Sequence, residues 1–119
     1  HKAATQRVEL SKPADMLKSD VTILASPTYG HGVLQGGMEV FCQALKDFPL
    51  KNHPCAVIGI GDPKYEAQYH MESAPILEEA ITHAGGKQII PALRISGTPV
   101  HHLDGLIPNW TQKLIEVLK

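Results

Sequence analysis

The sequence of 119 residues has few cysteines, few aromatic residues and almost no net charge. Its two cysteines, Cys42 and Cys55, lack metal-ligand spacing, which favours a reduced intracellular pair over a disulfide scaffold. Lys and Arg number 11 and Asp and Glu number 12, for a net charge of -1. Because binding to a phosphate backbone needs a basic face, nucleic acid is not expected as a partner.

Long apolar runs are absent as well. No stretch approaches the roughly 20 residues that a membrane span requires, and the N-terminus lacks the charged-then-apolar order of a signal peptide. We therefore expect a soluble, cytoplasmic protein with no membrane partner. Hydrophobic residues make up 43% and charged residues 19%, with no low-complexity run, so a core can form and one domain over residues 1–119 is predicted.

Short apolar runs alternate with stretches of helical period, which predicts an α/β domain with a parallel sheet. Four strands are predicted, at residues 3–8, 21–26, 55–60 and 88–93. The second and third are apolar nearly throughout, as in central strands that helices cover on both faces. Pro91 cannot donate a ladder hydrogen bond, so the fourth strand is expected at an edge or beside a bulge.

Three helices are predicted from apolar residues that recur at helical spacing. The three sets are Met38, Phe41, Leu45 and Phe48; Ile76, Leu77, Ala80, Ile81 and Ala84; and Leu103, Ile107, Trp110, Leu114 and Leu118. Gly85 directly follows the second set, which predicts a left-handed cap at the end of that helix.

Ligands of open α/β sheets bind outside the carboxyl ends of the strands, so the residues after the two central strands point to the function. The first of these loops is Ser26, Pro27, Thr28, Tyr29, Gly30, His31 and Gly32, and the second begins Gly61, Asp62, Pro63, Lys64 and Tyr65. Two tyrosines at neighbouring strand ends can present flat faces to a planar ring system, and the glycines let the backbone approach its edges. We therefore predict a flat heteroaromatic ligand.

Three motifs, in this order along the chain, resemble the flavodoxin family in its short-chain form. They are PTYGHG at residues 27–32 followed by Leu34 and Gln35, IGIGD at residues 58–62 followed by Tyr65 and Glu66, and LRISG at residues 93–97. The resemblance implies a flavodoxin-like doubly wound parallel sheet in three α/β/α layers. It also implies a one-electron carrier rather than an enzyme, with FMN as cofactor and redox proteins as partners.

The resemblance assigns roles to individual residues. Tyr65 would lie on the outer face of the isoalloxazine ring and Tyr29 towards its inner face. Backbone groups of Thr28, Gly61 and Asp62 would bond the pyrimidine and N5 regions of the ring. The Gly30 peptide would turn its carbonyl towards N5 on reduction, which glycine permits without steric cost.

Four further positions belong to the same expected site. Ser26 and Pro27 begin the first loop, and Tyr69 either covers the edge of the second loop or packs beside it. His31 stands where an acidic residue is common in the family, beside the presumed N5 edge of the flavin. Because histidine titrates near neutral pH, we expect it to make the flavin potential depend on pH.

The chain also departs from the family. Its first residues resemble the family's second strand, so the first strand, the phosphate-binding loop and the first helix are expected to be missing from residues 1–119. Stacking contributes about 1–3 kcal/mol per aromatic face, whereas a phosphate held by several bonds of about 1.5–3 kcal/mol each contributes more, so we expect weak FMN binding by the chain alone. A second chain, a swapped segment or an upstream segment could fill the place of the missing strand.

Other functions fit parts of the sequence. A non-redox interaction module that keeps the fold without FMN is favoured by the absent phosphate loop, and a flavin-dependent quinone reductase would share the fold but usually carries insertions. A phosphoacceptor receiver domain needs an aspartate where Ser26 stands. A metal site at His101, His102 and Asp104 is not favoured, because adjacent residues point apart and no fourth ligand has suitable spacing.

Overall fold

The computed structural model describes residues 3–29, 33–34, 36–61, 73–96 and 105–118, which form a twisted sheet with helices on both faces. The strands are Thr22–Tyr29 (β1), Val33–Leu34 (β2), Pro54–Gly61 (β3), Lys87–Gln88 (β4) and Leu93–Ser96 (β5). The helices are Gly36–Leu45 (α1), Ser73–His83 (α2) and Leu106–Leu118 (α3). Two 3-10 helices, Val8–Leu10 and Pro13–Lys18, precede β1.

The strand β3 is the centre of the sheet. It pairs in parallel with β1 from Thr22↔Cys55 to Pro27↔Ile60. On its other side, β4 pairs in parallel with its beginning and β5 with its end. The short β2 pairs antiparallel with the end of β1, on the side away from β3. The predicted strands at residues 21–26 and 55–60 are thus confirmed. The first begins one residue later and ends three residues later than predicted, and the second is one residue longer at each end.

Alternate residues of β3 face two separate hydrophobic cores, because successive side chains of a strand point to opposite faces. The larger core, on the face of α1 and α2, contains Met16, Leu24, Met38, Phe41, Cys42, Leu45, Leu50, Cys55, Val57, Ala74, Leu77, Ala80, Ile81 and Ala84. The smaller core, on the face of α3, contains Ala56, Ile90, Leu93, Ile95, Trp110 and Leu114. Helices on both faces make the three layers that the sequence predicts.

The end of α2 follows the sequence prediction closely. Gly85 has φ of +84°, in the left-handed region that glycine adopts without steric cost. Its N–H donates to the Thr82 carbonyl at 3.1 Å, and the N–H of Gly86 donates to the Ile81 carbonyl at 2.8 Å. These two hydrogen bonds form a Schellman cap, which satisfies carbonyls at the helix end and directs the chain into β4.

The fourth predicted strand, residues 88–93, is interrupted in the structure. It becomes β4 and β5, with Pro91 in the gap between them. The indole Nε1 of Trp110 donates to the Pro91 carbonyl at 3.0 Å, which ties α3 to the interruption. The prediction of an edge position or a bulge at Pro91 is therefore confirmed among the described residues, since β4 and β5 both pair with β3 alone.

The strand predicted at residues 3–8 is wrong. Residues 3–7 have no regular secondary structure, and Val8 begins the first 3-10 helix. A strand needs a neighbour for its backbone N–H and C=O groups, and no strand among the described residues lies beside this segment. Instead, Val8 packs against the larger core and Met16 is buried within it.

The buried thiol of Cys55 should make the protein less stable at alkaline pH. Burial raises the pKa of Cys55 from its ordinary value of 9.0 to about 11. The folded protein then keeps a proton that the unfolded chain releases, so the stability is present below pH 9 and declines as pH rises towards 11. The loss should approach about 2–3 kcal/mol at its limit.

Urea unfolding at several pH values between neutral and strongly alkaline measures this decline. Cys55→Ala, which removes the titrating thiol, should lose less stability than the parent over the same interval. An equal decline in both proteins would assign the effect to other groups.

Candidate functional site

The candidate site lies at the carboxyl ends of β1 and β3, which are parallel neighbours. Their last registered pair is Pro27↔Ile60, so Thr28 and Gly61 are the next residues on the two strands. Both following loops therefore leave the sheet at the same edge, as the sequence predicts. This edge is the place where open α/β sheets bind ligands.

The structure describes half of the predicted site residues. Ser26 is fully buried and Pro27 is half-buried near the end of β1, where Thr28 and Tyr29 are its last two residues. Gly61 is the buried last residue of β3. The other members of the predicted set, Gly30, His31, Asp62, Tyr65 and Tyr69, lie outside the described residues. Their contacts with a ligand remain predictions.

The first loop begins as a hairpin, which the sequence reasoning missed. Thr28 pairs with Leu34 and Tyr29 pairs with Val33 in antiparallel register. The sequence did contain a signal for this hairpin. Residues 30–32 read Gly-His-Gly and stand between the β-prone pairs 28–29 and 33–34. Connections of three to five residues that contain glycine favour hairpins. The hairpin fixes the backbone on either side of residues 30–32.

A buried hydrogen bond links the end of β1 to the beginning of α2. The hydroxyl of Ser73, the first residue of α2, donates to the Ser26 carbonyl at 3.2 Å. The hydroxyl of Ser26 donates to the next carbonyl, that of Pro27, at 3.0 Å. Two successive carbonyls of β1 thus accept bonds from serine hydroxyls just before the candidate loop. Sequence reasoning did not find Ser73, because nothing local to it indicates a partner 47 positions away.

Gly59 allows this close approach. A Cβ at Gly59 would lie 2.7 Å from the Ala74 Cβ and 3.0 Å from the Ser73 Oγ. The first turn of α2 therefore rests directly on the backbone of β3. A glycine inside an apolar strand is a known indication of close packing, so Ile58-Gly59-Ile60 carried a signal that the sequence reasoning did not use.

The perturbed titratable groups among the described residues lie away from this edge. The pKa of Asp15 is lowered, first by the hydrogen bond from the Lys12 backbone N–H and then by Lys18. Burial raises the pKa of Cys42 on α1 and that of Cys55 near the start of β3. Ser26, Pro27 and Gly61 are neutral, so the described part of the edge offers hydrogen-bonding groups and surface rather than charge.

A groove of about 580 Å³ lies elsewhere, along α2 and β4. It is lined by Pro75, Glu78, Glu79, Thr82, His83 and Gln88. Gln88 belongs to β4, which pairs with the beginning of β3, so this end of the groove lies at the amino ends of the strands. Ligands of this sheet type bind at the opposite ends, so we do not assign the function to the groove.

Comparison with known proteins decides the family. A family model described as Flavodoxin matches residues 2–110. The chain belongs to the flavodoxin family. The parallel sheet with helices on both faces, described above, is the flavodoxin-like fold, and the fold expected from the three sequence motifs is confirmed.

Individual flavodoxins agree with this assignment. A flavodoxin from Picosynechococcus sp. is 33% identical over 70 residues, which are 59% of this chain and 41% of that protein. Oxidised flavodoxin 2 from Bacillus cereus is 30% identical with a TM-score of 0.76, and the match covers 83% of this chain and 66% of that one. The chain thus spans about two fifths of the first relative and just under two thirds of the second.

More distant flavodoxins show the same fold. Oxidised flavodoxin 1 from Bacillus cereus is 22% identical with a TM-score of 0.78, over 92% of this chain and 71% of that one. A short-chain flavodoxin associated with a bacterial microcompartment is 20% identical with a TM-score of 0.79, over 94% of this chain and 75% of that one.

The described residues contain neither a membrane-crossing helix nor a cluster of metal-ligating side chains. No helix there has both the length and the apolar character to cross a membrane. No group of three or more His, Cys, Asp or Glu side chains in the same residues is arranged to hold a metal ion. His101, His102 and Asp104 lie outside the described residues.

The contact at Gly59 generates a prediction about this flavodoxin-family chain. Gly59→Ala should destabilise it by about 1–3 kcal/mol, because the added methyl group overlaps Ala74 and must displace the first turn of α2. Gly36→Ala is the matched control, since a Cβ there meets nothing within 4 Å. Urea unfolding of both variants measures the difference, and equal stabilities would show that α2 does not rest on Gly59.

Proposed function

We propose that this chain is the main part of an FMN-binding electron carrier. The observation that carries the proposal is that β1 and β3 are adjacent parallel strands whose carboxyl ends share one edge of the sheet. Of the two expected stacking tyrosines, Tyr29 is the last residue of β1 and Tyr65 belongs to the segment that follows β3. FMN, when bound, supplies one-electron chemistry through its isoalloxazine ring. The residues of the chain hold and orient that ring.

The described backbone fits this role. Thr28 is the second-last residue of β1 and Gly61 is the last residue of β3, so their peptide groups can present donors and acceptors to the same side of a planar ligand. Gly61 is buried and carries no side chain to block the approach. Ser26 and Pro27 fix the backbone just before Thr28 through the two serine hydrogen bonds.

The loop residues complete the proposed site. Tyr29 and Tyr65 stack on the two faces of the ring, Asp62 bonds its edge through the backbone, and Tyr69 lies at its margin. The Gly30 peptide would turn towards the ring on reduction, and His31 would lie beside that edge. Stacking and backbone bonds suit a flat ring that has hydrogen-bonding groups along its rim.

We also propose that a further strand, with its phosphate-binding loop and helix, pairs with the outer edge of β1 to complete the cofactor site. Residues 22–27 have no partner on that side among the described residues. Ile23 is 44% exposed, although β1 has the apolar sequence of a strand buried on both faces. An open edge of this kind accepts another strand readily.

A complementation experiment tests this edge. The first strand, loop and helix of Bacillus cereus flavodoxin 2 are added as a peptide to the 119-residue chain, and amide hydrogen exchange is followed by NMR. The peptide should slow the exchange of the amides of β1 and confer FMN binding. Ile23→Asp should weaken this binding, whereas Val117→Asp, at an exposed apolar position on α3, should not. Unchanged exchange in β1 with peptide present would contradict the pairing.

The flavin site itself is tested at Tyr65. In the complemented protein, Tyr65→Ala should weaken FMN binding by about 1–3 kcal/mol, because one stacking face is lost. Tyr65→Phe keeps the aromatic face and should retain most of the affinity. Quenching of FMN fluorescence measures both affinities.

The chain without the peptide should bind FMN weakly, and submicromolar binding by the chain alone would contradict the need for a phosphate-binding segment.

We propose a carrier rather than an enzyme, acting in the cytoplasm with redox proteins as its partners. Both cysteines are free and buried, which agrees with a reducing compartment. The carrier should pass electrons between proteins without consuming NAD(P)H by itself. Steady oxidation of NAD(P)H by the purified, FMN-loaded protein would instead support an enzyme of the quinone-reductase type.

A further inference from the structure

The hydrogen bond between Ser73 and Ser26 lies between the two candidate loops. Ser73 is the first residue after the segment 62–72, which contains Asp62, Tyr65 and Tyr69. Ser26 lies three residues before Tyr29, the last residue of β1, and the other loop follows that strand. The residue after one loop is therefore bonded to the strand that leads into the other loop.

This contact has little freedom to change. Ser26 and Ser73 are 1% and 0% exposed, so water is not available to replace the bond. Ser26 is registered opposite Gly59, and the missing side chain of Gly59 is what lets Ser73 and Ala74 lie against the strands. Packing thus holds the Ser73 hydroxyl at the Ser26 carbonyl.

We propose that Ser73 is a positioning residue that couples the two flavin-binding loops; the inference rests on the proposed function for the identity of those loops. If the first turn of α2 moves, the Ser26 carbonyl bonded to Ser73 moves with it. Thr28 follows two residues later on the same strand, so its backbone is displaced as well. Conversely, the β1 end and its loop constrain where the second loop ends. The bond thereby fixes the spacing between the backbone groups that face a ligand from either side.

Amide hydrogen exchange on the 119-residue chain tests the coupling without any flavin. Ser73→Ala should speed exchange about tenfold in both residues 28–32 and residues 62–72, because the loss of the buried bond to Ser26 loosens both anchor points. Ser19→Ala is the matched control. It removes a serine hydroxyl bond of the same length, 3.2 Å to the Met16 carbonyl, three residues before β1 begins. It should leave both loops unchanged.

A second variant distinguishes loss of the hydrogen bond from a general loss of structure. Ser73→Cys keeps nearly the same side-chain size with a weaker donor, and should give exchange rates between those of the parent and Ser73→Ala. Faster exchange in residues 62–72 alone, or equal changes with Ser19→Ala, would overturn the coupling. So would a uniform increase across the whole chain, which indicates a purely structural role.

The flavin-loaded, complemented protein provides the second readout. Ser73→Ala should shift the potential of FMN reduction and the visible absorption of the bound flavin, which a change in overall stability would not do. If the complemented protein binds no FMN, the proposed function fails, but the exchange experiment still decides whether the two loops are coupled. If FMN binds and neither loop responds to Ser73→Ala, the coupling fails and the proposed function stands.

Discussion

The parallel pairing of β1 with β3 is the constraint on which the rest of this structure depends. Because the two strands run in the same direction and in fixed register, their carboxyl ends lie side by side and their following loops share one edge. A different register would separate the loops and move the side chains of β1 to the wrong faces of the sheet. The position of the proposed flavin site follows from this one pairing.

The close contact of α2 with β3 shows how small residues shape that edge. Gly59 has no side chain to keep α2 at a distance, and Ala74 and Ser73 occupy the space that a Cβ would fill. The approach buries the Ser73 hydroxyl, which must then find an acceptor, because an unpaired buried hydroxyl is costly. The Ser26 carbonyl meets that need, so packing and hydrogen bonding support the same arrangement.

The first half of β1 has an apolar sequence, but one of its two faces is exposed. Its sequence is that of a strand covered on both faces, and Leu24 is indeed buried in the larger core. Its neighbours Ile23 and Ala25, which point to the other face, are exposed. Relatives of this chain are longer than it is, and a strand and helix beside β1 would cover the exposed residues.

Sequence patterns determined the strands at the centre, the buried faces of the helices and the cap at Gly85. These features depend on side-chain periodicity and on backbone preferences within a few residues. Tertiary structure alone decided that residues 3–7 form no strand, that Trp110 bonds the Pro91 carbonyl and that Ser73 bonds Ser26. Each of these depends on a partner distant along the chain, such as a neighbouring strand, the Trp110 indole or the Ser26 carbonyl, and local spacing carries no information about such a partner.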